Sequence, residues 1–185
     1  MNASHARLTD WALAQLAIRP NAAILDVGCG GGRTISRLAT MVPQGHVQGV
    51  DYSQTCVDAS RAFNRQLVDD GRVRVERASV ASLPFSDRTF DLVTAVETHY
   101  YWPDLTANLR EILRVLKRGG EVALVAETHR GGPLVPLYAI GMWLVRGAYL
   151  TAPAHEAALR DAGFAEVSTV IGPNRTWILA RGRRP

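Results

Sequence analysis

The stretch that most constrains this chain is Ile24-Leu25-Asp26-Val27-Gly28-Cys29-Gly30-Gly31-Gly32-Arg33. It starts as a short apolar run ending in a carboxylate, the pattern of a buried parallel strand. Four glycines within five residues break that run, and Thr34, Ile35, Leu38 and Ala39 then recur at helical spacing. Strand, glycine turn and helix N-terminus together form the βα unit that binds nucleotides in open α/β sheets. Glycine lets the backbone turn sharply and approach a ligand with no Cβ in the way. The helix end adds free N–H groups and partial positive charge.

The spacing narrows the ligand. The dinucleotide fingerprint G-x-G-x-x-G fits Gly28 and Gly30, but its third glycine falls on Arg33. A nicotinamide dehydrogenase is disfavoured on that ground. Asp26 followed by Gly28 and Gly30 instead resembles the D-x-G-x-G of motif I in the class I methyltransferases that use S-adenosylmethionine (SAM). A tight turn in an unrelated α/β protein is the alternative reading of this motif alone.

The following elements keep the alternation of strands and helices. Val47 to Val50 form a second strand ending at Asp51, about 20 residues past the glycines, where nucleotide folds place the carboxylate that accepts ribose hydroxyls. Ser53 caps a helix over Gln54 to Asp69 that stops at Gly71, which frees Asp51 for a ligand. Val73 and Val75 mark a third strand and Asp91 to Val96 a fourth. Asp104 caps a helix carrying Leu105, Leu109, Ile112, Leu113 and Leu116, which runs to Gly119-Gly120. Glu121 to Ala126 give a fifth strand.

Two further stretches carry the resemblance. Leu83-Pro84-Phe85, Asp87 and Phe90-Asp91 match the family's D-A-x-x-L-P-F-x-D-x-S-F-D. Leu109 to Gly120 is similar to its R-E-x-x-R-V-L-K-P-G-G, with Arg118 in place of proline. Ser79 stands where the family commonly has the aspartate that takes the adenine amino group, and a serine hydroxyl can accept that bond only without charge assistance. The resemblance covers Ala22 to Ala126 in the family's order. It implies a doubly wound α/β fold: a mostly parallel seven-stranded sheet of order 3-2-1-4-5-7-6, a terminal antiparallel hairpin and helices on both faces. It also implies SAM as cofactor and S-adenosylhomocysteine as product.

The candidate cofactor residues are Asp26, Gly28, Cys29, Gly30, Gly31, Asp51, Tyr52, Ser79, Val80 and Glu97. Asp26 is expected near the methionine ammonium, Asp51 at the ribose, and Ser79 with Val80 at the adenine. Glu97 is a second candidate for the ammonium. The stretch Glu97-Thr98-His99-Tyr100-Tyr101-Trp102 follows the fourth strand, where an open sheet places its chemistry. His99 is the candidate base, since its pKa lies near neutrality, and Tyr100 a candidate orienting group. Loop packing is the alternative for these aromatics and for His99.

The remainder is read as part of one domain spanning residues 1–185. Residues 1–20 supply a helix, Ser4 to Ile18, that either covers the ligand or packs on the sheet edge. Residues 127–150 supply an insert whose apolar run, Leu134 to Val145, is either a core helix or a wall of the acceptor pocket. Pro136 and Gly141 interrupt that run, and it is too short for a membrane span. A helix over Ala154 to Ala162 and strands over Phe164 to Ile171 and Arg175 to Ala180 close the chain.

Composition excludes several classes. The net charge of +4 is carried almost entirely by dispersed arginines, with no basic stripe among aromatics, so nucleic acid is not an expected partner. After the fourth strand Glu97-Thr98-His99-Tyr100 replaces the N/D-P-P-Y/F of amino-methylating nucleic acid enzymes. Cys29 and Cys56 show neither zinc nor redox spacing, and no metal is expected. With no signal peptide recognised, a cytoplasmic location is the default. The expected function is methyl transfer from SAM to a small, partly apolar molecule. The alternative is a SAM- or nucleotide-binding regulator without chemistry.

Overall fold

Ala23-Ile24-Leu25-Asp26-Val27 is buried at every position, so side chains on both faces of this strand must be covered. Alternate residues of a strand point to opposite faces, and two separate apolar clusters receive them. Ile24 joins Leu8, Ile35, Leu38, Val47 and Val57 on one side. Leu25 and Val27 join Val93, Leu109, Ile112 and Leu159 on the other. The computed structural model describes residues 3–131 and 149–185, and most of the predicted run Leu134 to Val145 with its continuation to Leu150 lies outside them.

The elements are α1 (Ala3–Leu13), β1 (Ala23–Val27), α2 (Arg33–Met41), β2 (His46–Asp51), α3 (Gln54–Phe63), α4 (Arg65–Asp69) and β3 (Val73–Arg77). There follow β4 (Phe90–Val96), α5 (Leu105–Val115), β5 (Leu116–Ala126), α6 (Ala152–Ala162), β6 (Ala165–Ile171) and β7 (Ile178–Arg183). The sheet order is β3-β2-β1-β4-β5-β7-β6, as expected. Strands β3 to β5 pair in parallel, and β7 runs antiparallel to both β5 and β6. The winding reverses between β1 and β4, so a crevice opens there at the C-terminal strand ends.

Several boundaries differ from the sequence reading, each for a local reason. The first helix ends at Leu13, and Gln15 and Leu16 donate to Ala12 and Leu13 in tight turns well before Pro20. The helix expected over Gln54 to Asp69 breaks at Asn64, whose side-chain amide donates to the carbonyls of Gly32 and Ser60. α5 stops at Val115 because the residues after it join the sheet: Leu116 pairs with Phe90, and Gly119 and Gly120 exchange backbone bonds with Arg184. The last strand lies at Ile178–Arg183, a few residues later than expected, because Asn174 accepts from Thr176 and Trp177 and holds a longer turn. Among the described residues, no helix is long and apolar enough to cross a membrane.

Candidate active site

The glycine turn lies at the end of β1. The N–H groups of Gly28 and Cys29 both donate to the Val50 carbonyl, at 2.8 and 3.0 Å, which curls the turn against the end of β2. Gly28 has φ +72°, and a Cβ there would stand 2.3 Å from Thr98 Oγ1. Gly32 has φ +80°, and a Cβ there would meet Ser60 and Asn64 at 2.4 Å. The close-packing glycine of this turn is therefore Gly32, one residue before the position at which Arg33 interrupts the dinucleotide pattern. Arg33 lies over the Phe63 ring on the surface. Gly30 and Gly31 have no atom within 4 Å of their would-be Cβ positions, so this side of the turn is open.

Asp51 ends β2 and faces the turn. Its Oδ2 accepts from Gly30 N–H and its Oδ1 from Ser53 N–H, both at 2.9 Å. Ser53 still caps α3 by accepting from Cys56 N–H. Asp51 is thus a strut between turn and helix as well as a ligand candidate. A carboxylate has about four acceptor sites, so two remain for hydroxyls.

A cleft of about 480 Å³ opens beside these groups, lined by Gly28, Asp51, Tyr52, Ser79, Val80 and Trp102 among others. Five of these are predicted cofactor residues. Tyr52 is 74% exposed at the rim, with the Arg77 guanidinium over its ring. Ser79 uses its hydroxyl to accept from Ala81 N–H, holding the turn that carries Val80. Cys29 does not face the cleft with its side chain: the thiol is buried, and its N–H and C=O bond Val50 and Gly32. The expectation for Cys29 reduces to backbone shape.

Asp26 lies beneath the turn, only 2% exposed. Thr94 Oγ1 on β4 donates to its Oδ1 at 2.7 Å. Burial, reinforced by the nearby Asp51 charge and opposed by Thr94, raises its pKa to about 7. The carboxyl is therefore poised between neutral and charged, and a cation above it would favour the charged form.

The loop after β4 begins with a strained residue. Glu97 has φ +58°, a left-handed conformation that costs a residue with a Cβ about 1–2 kcal/mol. That geometry turns its carboxylate back into the loop, where it accepts from Tyr100 Oη at 2.9 Å and from Glu127 N–H. Burial and Glu97 both push the Tyr100 phenol well above its ordinary range, so it stays protonated. His99 is 1% exposed, with Nε2 3.0 Å from Nε2 of His155 on α6. Burial, then His155, lowers its pKa to about 3, so the expected near-neutral imidazole is not what the structure gives: enclosure disfavours the imidazolium and His99 is a neutral, weak base. Thr98, Tyr101 and Trp102 line the cleft. The structure thus gathers Gly28, Asp51, Tyr52, Ser79, Val80 and the β4-loop residues Thr98, Tyr101 and Trp102 at one cleft, whereas the predicted Asp26, Glu97, His99 and Tyr100 are not among its lining.

The other two motifs prove to be partners. Glu111 accepts from Leu83 N–H, and Arg114 donates to Leu83 and Phe85 carbonyls and to Asp87. They brace the segment that follows Ser79 and Val80. Among the described residues, no group of three or more His, Cys, Asp or Glu is placed to hold a metal.

Comparison with known proteins follows this geometry. Residues 24–120 match the methyltransferase domain family. A 27-O-demethylrifamycin SV methyltransferase of Amycolatopsis mediterranei is 37% identical over 120 residues, covering 64% of this chain and 43% of that protein. A demethylmenaquinone methyltransferase of Lactiplantibacillus plantarum is 36% identical over 125 residues, covering 66% of this chain and 52% of that one. The chain spans about half the length of these curated relatives. Geranyl diphosphate C-methyltransferase from Streptomyces coelicolor superposes with a TM-score of 0.80 at 17% identity, over 97% of this chain and 79% of that one, which shows a common fold.

Proposed function

The chain belongs to the class I methyltransferases that use S-adenosylmethionine, and on that premise we propose that it transfers the cofactor's methyl group to a small, partly apolar molecule. The carrying observation is the crevice between β1 and β4, where an open glycine turn, the Asp51 carboxylate and the Ser79–Val80 edge surround one cleft. These residues fit the cofactor: the Gly30–Gly31 side admits a chain at close range, and Asp51 keeps acceptor sites for two hydroxyls. Asp26 supplies negative charge below the ammonium, and Val80 an apolar flank for the base. Two relatives are named for a demethylrifamycin and a demethylmenaquinone, which favours a small-molecule acceptor.

When bound, the cofactor supplies an electrophilic sulfonium methyl. The protein's own contribution is to align the acceptor, exclude water and receive a proton. His99 is the base in this reading, with Tyr100 orienting. Glu97 shapes the loop through Tyr100 and Glu127, so Asp26 takes the ammonium. The acceptor lies against the side of α1 that carries Trp11, whose ring packs on Trp177 with centroids 5.7 Å apart. The same reading places residues 1–185 in one catalytic domain, in the cytoplasm, without nucleic acid as a partner.

The test is turnover of methyl-labelled SAM against a panel of hydroxyl, amine and carbon acceptors. Label in a small product supports the reading. Tight SAM binding with no labelled product across the panel would favour the regulatory alternative.

A further inference from the structure

His99 and His155 lie 56 residues apart in sequence and meet at 3.0 Å between their Nε2 atoms, 1% and 2% exposed. Two imidazole nitrogens at that distance share one hydrogen, and the surroundings decide whose it is. Nδ1 of His155 lies 2.9 Å from the Thr151 carbonyl, one turn back on α6. A carbonyl oxygen can only accept, so Nδ1 of His155 carries a hydrogen. A neutral imidazole has one N–H, which leaves Nε2 of His155 as a lone pair. Nε2 of His99 must then be the donor between the rings, and Nδ1 of His99 is left as a bare lone pair. That Nδ1 is buried and has no hydrogen-bond partner. A buried acceptor without a partner costs about 1–3 kcal/mol, and such atoms in native structures call for an explanation such as a catalytic role.

We propose that His155 is a positioning residue: by accepting the Nε2–H of His99, it fixes the tautomer in which His99 Nδ1 is free to take the proton of an acceptor hydroxyl. The inference rests on the reading of His99 as the base. As the acceptor oxygen forms its bond to the methyl carbon, the carbon–sulfur bond breaks and its electron pair stays on sulfur. The O–H proton passes to Nδ1, and the imidazolium later releases it to water. The Thr151 carbonyl, His155 and His99 form a chain ending in one oriented lone pair.

Burial holds both imidazoles below their ordinary range, and the titratable groups facing them are each other, Tyr100 beside His99, and His129 beside His155. A metal role is not favoured: His129 stands beside His155, but no group of three or more His, Cys, Asp or Glu is placed to hold a metal among the described residues.

Nitrogen-15 NMR of the whole chain labelled at histidine reads the tautomers directly and needs no acceptor. The expected wild-type spectrum between pH 6 and 8 shows His155 protonated at Nδ1 and His99 protonated at Nε2 only. In His155→Leu the His99 ring loses that single tautomer, and kcat for a hydroxyl acceptor from the panel falls about 10- to 100-fold with KM little changed. His155→Gln, whose Oε1 can still accept from His99, restores both. A wild-type His99 protonated at Nδ1 overturns the inference and leaves the base reading to its own test. A His99→Ala protein with full kcat overturns the base reading itself, whatever the tautomer.

Discussion

If Asp26 meets the ammonium of SAM, as proposed, cofactor binding becomes a titration. The Asp26 carboxyl is buried, bonded to Thr94, and has a pKa of about 7 in the empty protein. A group whose folded pKa is raised contributes stability that is complete below its unfolded value of 3.8 and is lost as pH rises through 7. The shift corresponds to about 4 kcal/mol. If the ammonium of SAM requires the charged carboxylate, half the sites are competent at pH 7 and about 1% at pH 5. Apparent affinity should fall about 50-fold across that window, or about 2.3 kcal/mol. Asp26→Asn keeps the acceptor for Thr94 and removes the charge. Calorimetric titration should then show weaker binding near neutrality with no slope between pH 5 and 7. Thermal melts of the empty variant should exceed those of wild type above pH 7. Parallel affinity profiles for the two proteins would refute the pairing, and equal melts at pH 8 would refute the burial argument.

Other expectations follow from the same geometry. His99→Ala should lower kcat about 10²- to 10⁴-fold with SAM affinity nearly unchanged, in steady-state kinetics beside calorimetry. The same change strands the His155 lone pair, so a stability loss of about 1–3 kcal/mol should appear in denaturant melts. Gly28→Ala places a methyl group 2.3 Å from Thr98 Oγ1 at φ +72°, so it should abolish measurable SAM binding in calorimetry. Arg114→Ala releases the Leu83, Phe85 and Asp87 contacts and should destabilise by about 1–3 kcal/mol in denaturant melts, because Glu111 keeps Leu83 but loses its cation.

What the sequence made legible is local. Asp26 to Gly32 spells out a strand end and a turn in consecutive residues, and Asp51 falls at its distance because one helix and one strand intervene. The sheet order came from the family's motif order and matches the structure. What stayed hidden depends on residues far apart in the chain. Nothing near Asn64 signals that its side chain reaches back to Gly32 and breaks a helix there. Nothing near Glu97 signals its left-handed backbone, and the Glu127 N–H from which its carboxylate accepts lies 30 residues on. Leu83 to Asp87 and Glu111 to Arg114 read as separate motifs, and only the fold shows that each is the other's support. His155 carries no motif at all, and its meaning arises only where α6 brings it against His99.

The central claim is that the cofactor sits on the glycine turn with its ribose on Asp51. Calorimetric titration of SAM into wild type, Asp51→Ala and Asp51→Asn tests it most directly. Loss of two bonds to a charged acceptor predicts an affinity drop of about 3–5 kcal/mol in the alanine variant, with a smaller drop for asparagine. Melts without ligand measure the separate loss of the Gly30 and Ser53 contacts. Unchanged affinity in a folded Asp51→Ala protein would contradict the account and move the ribose to another site.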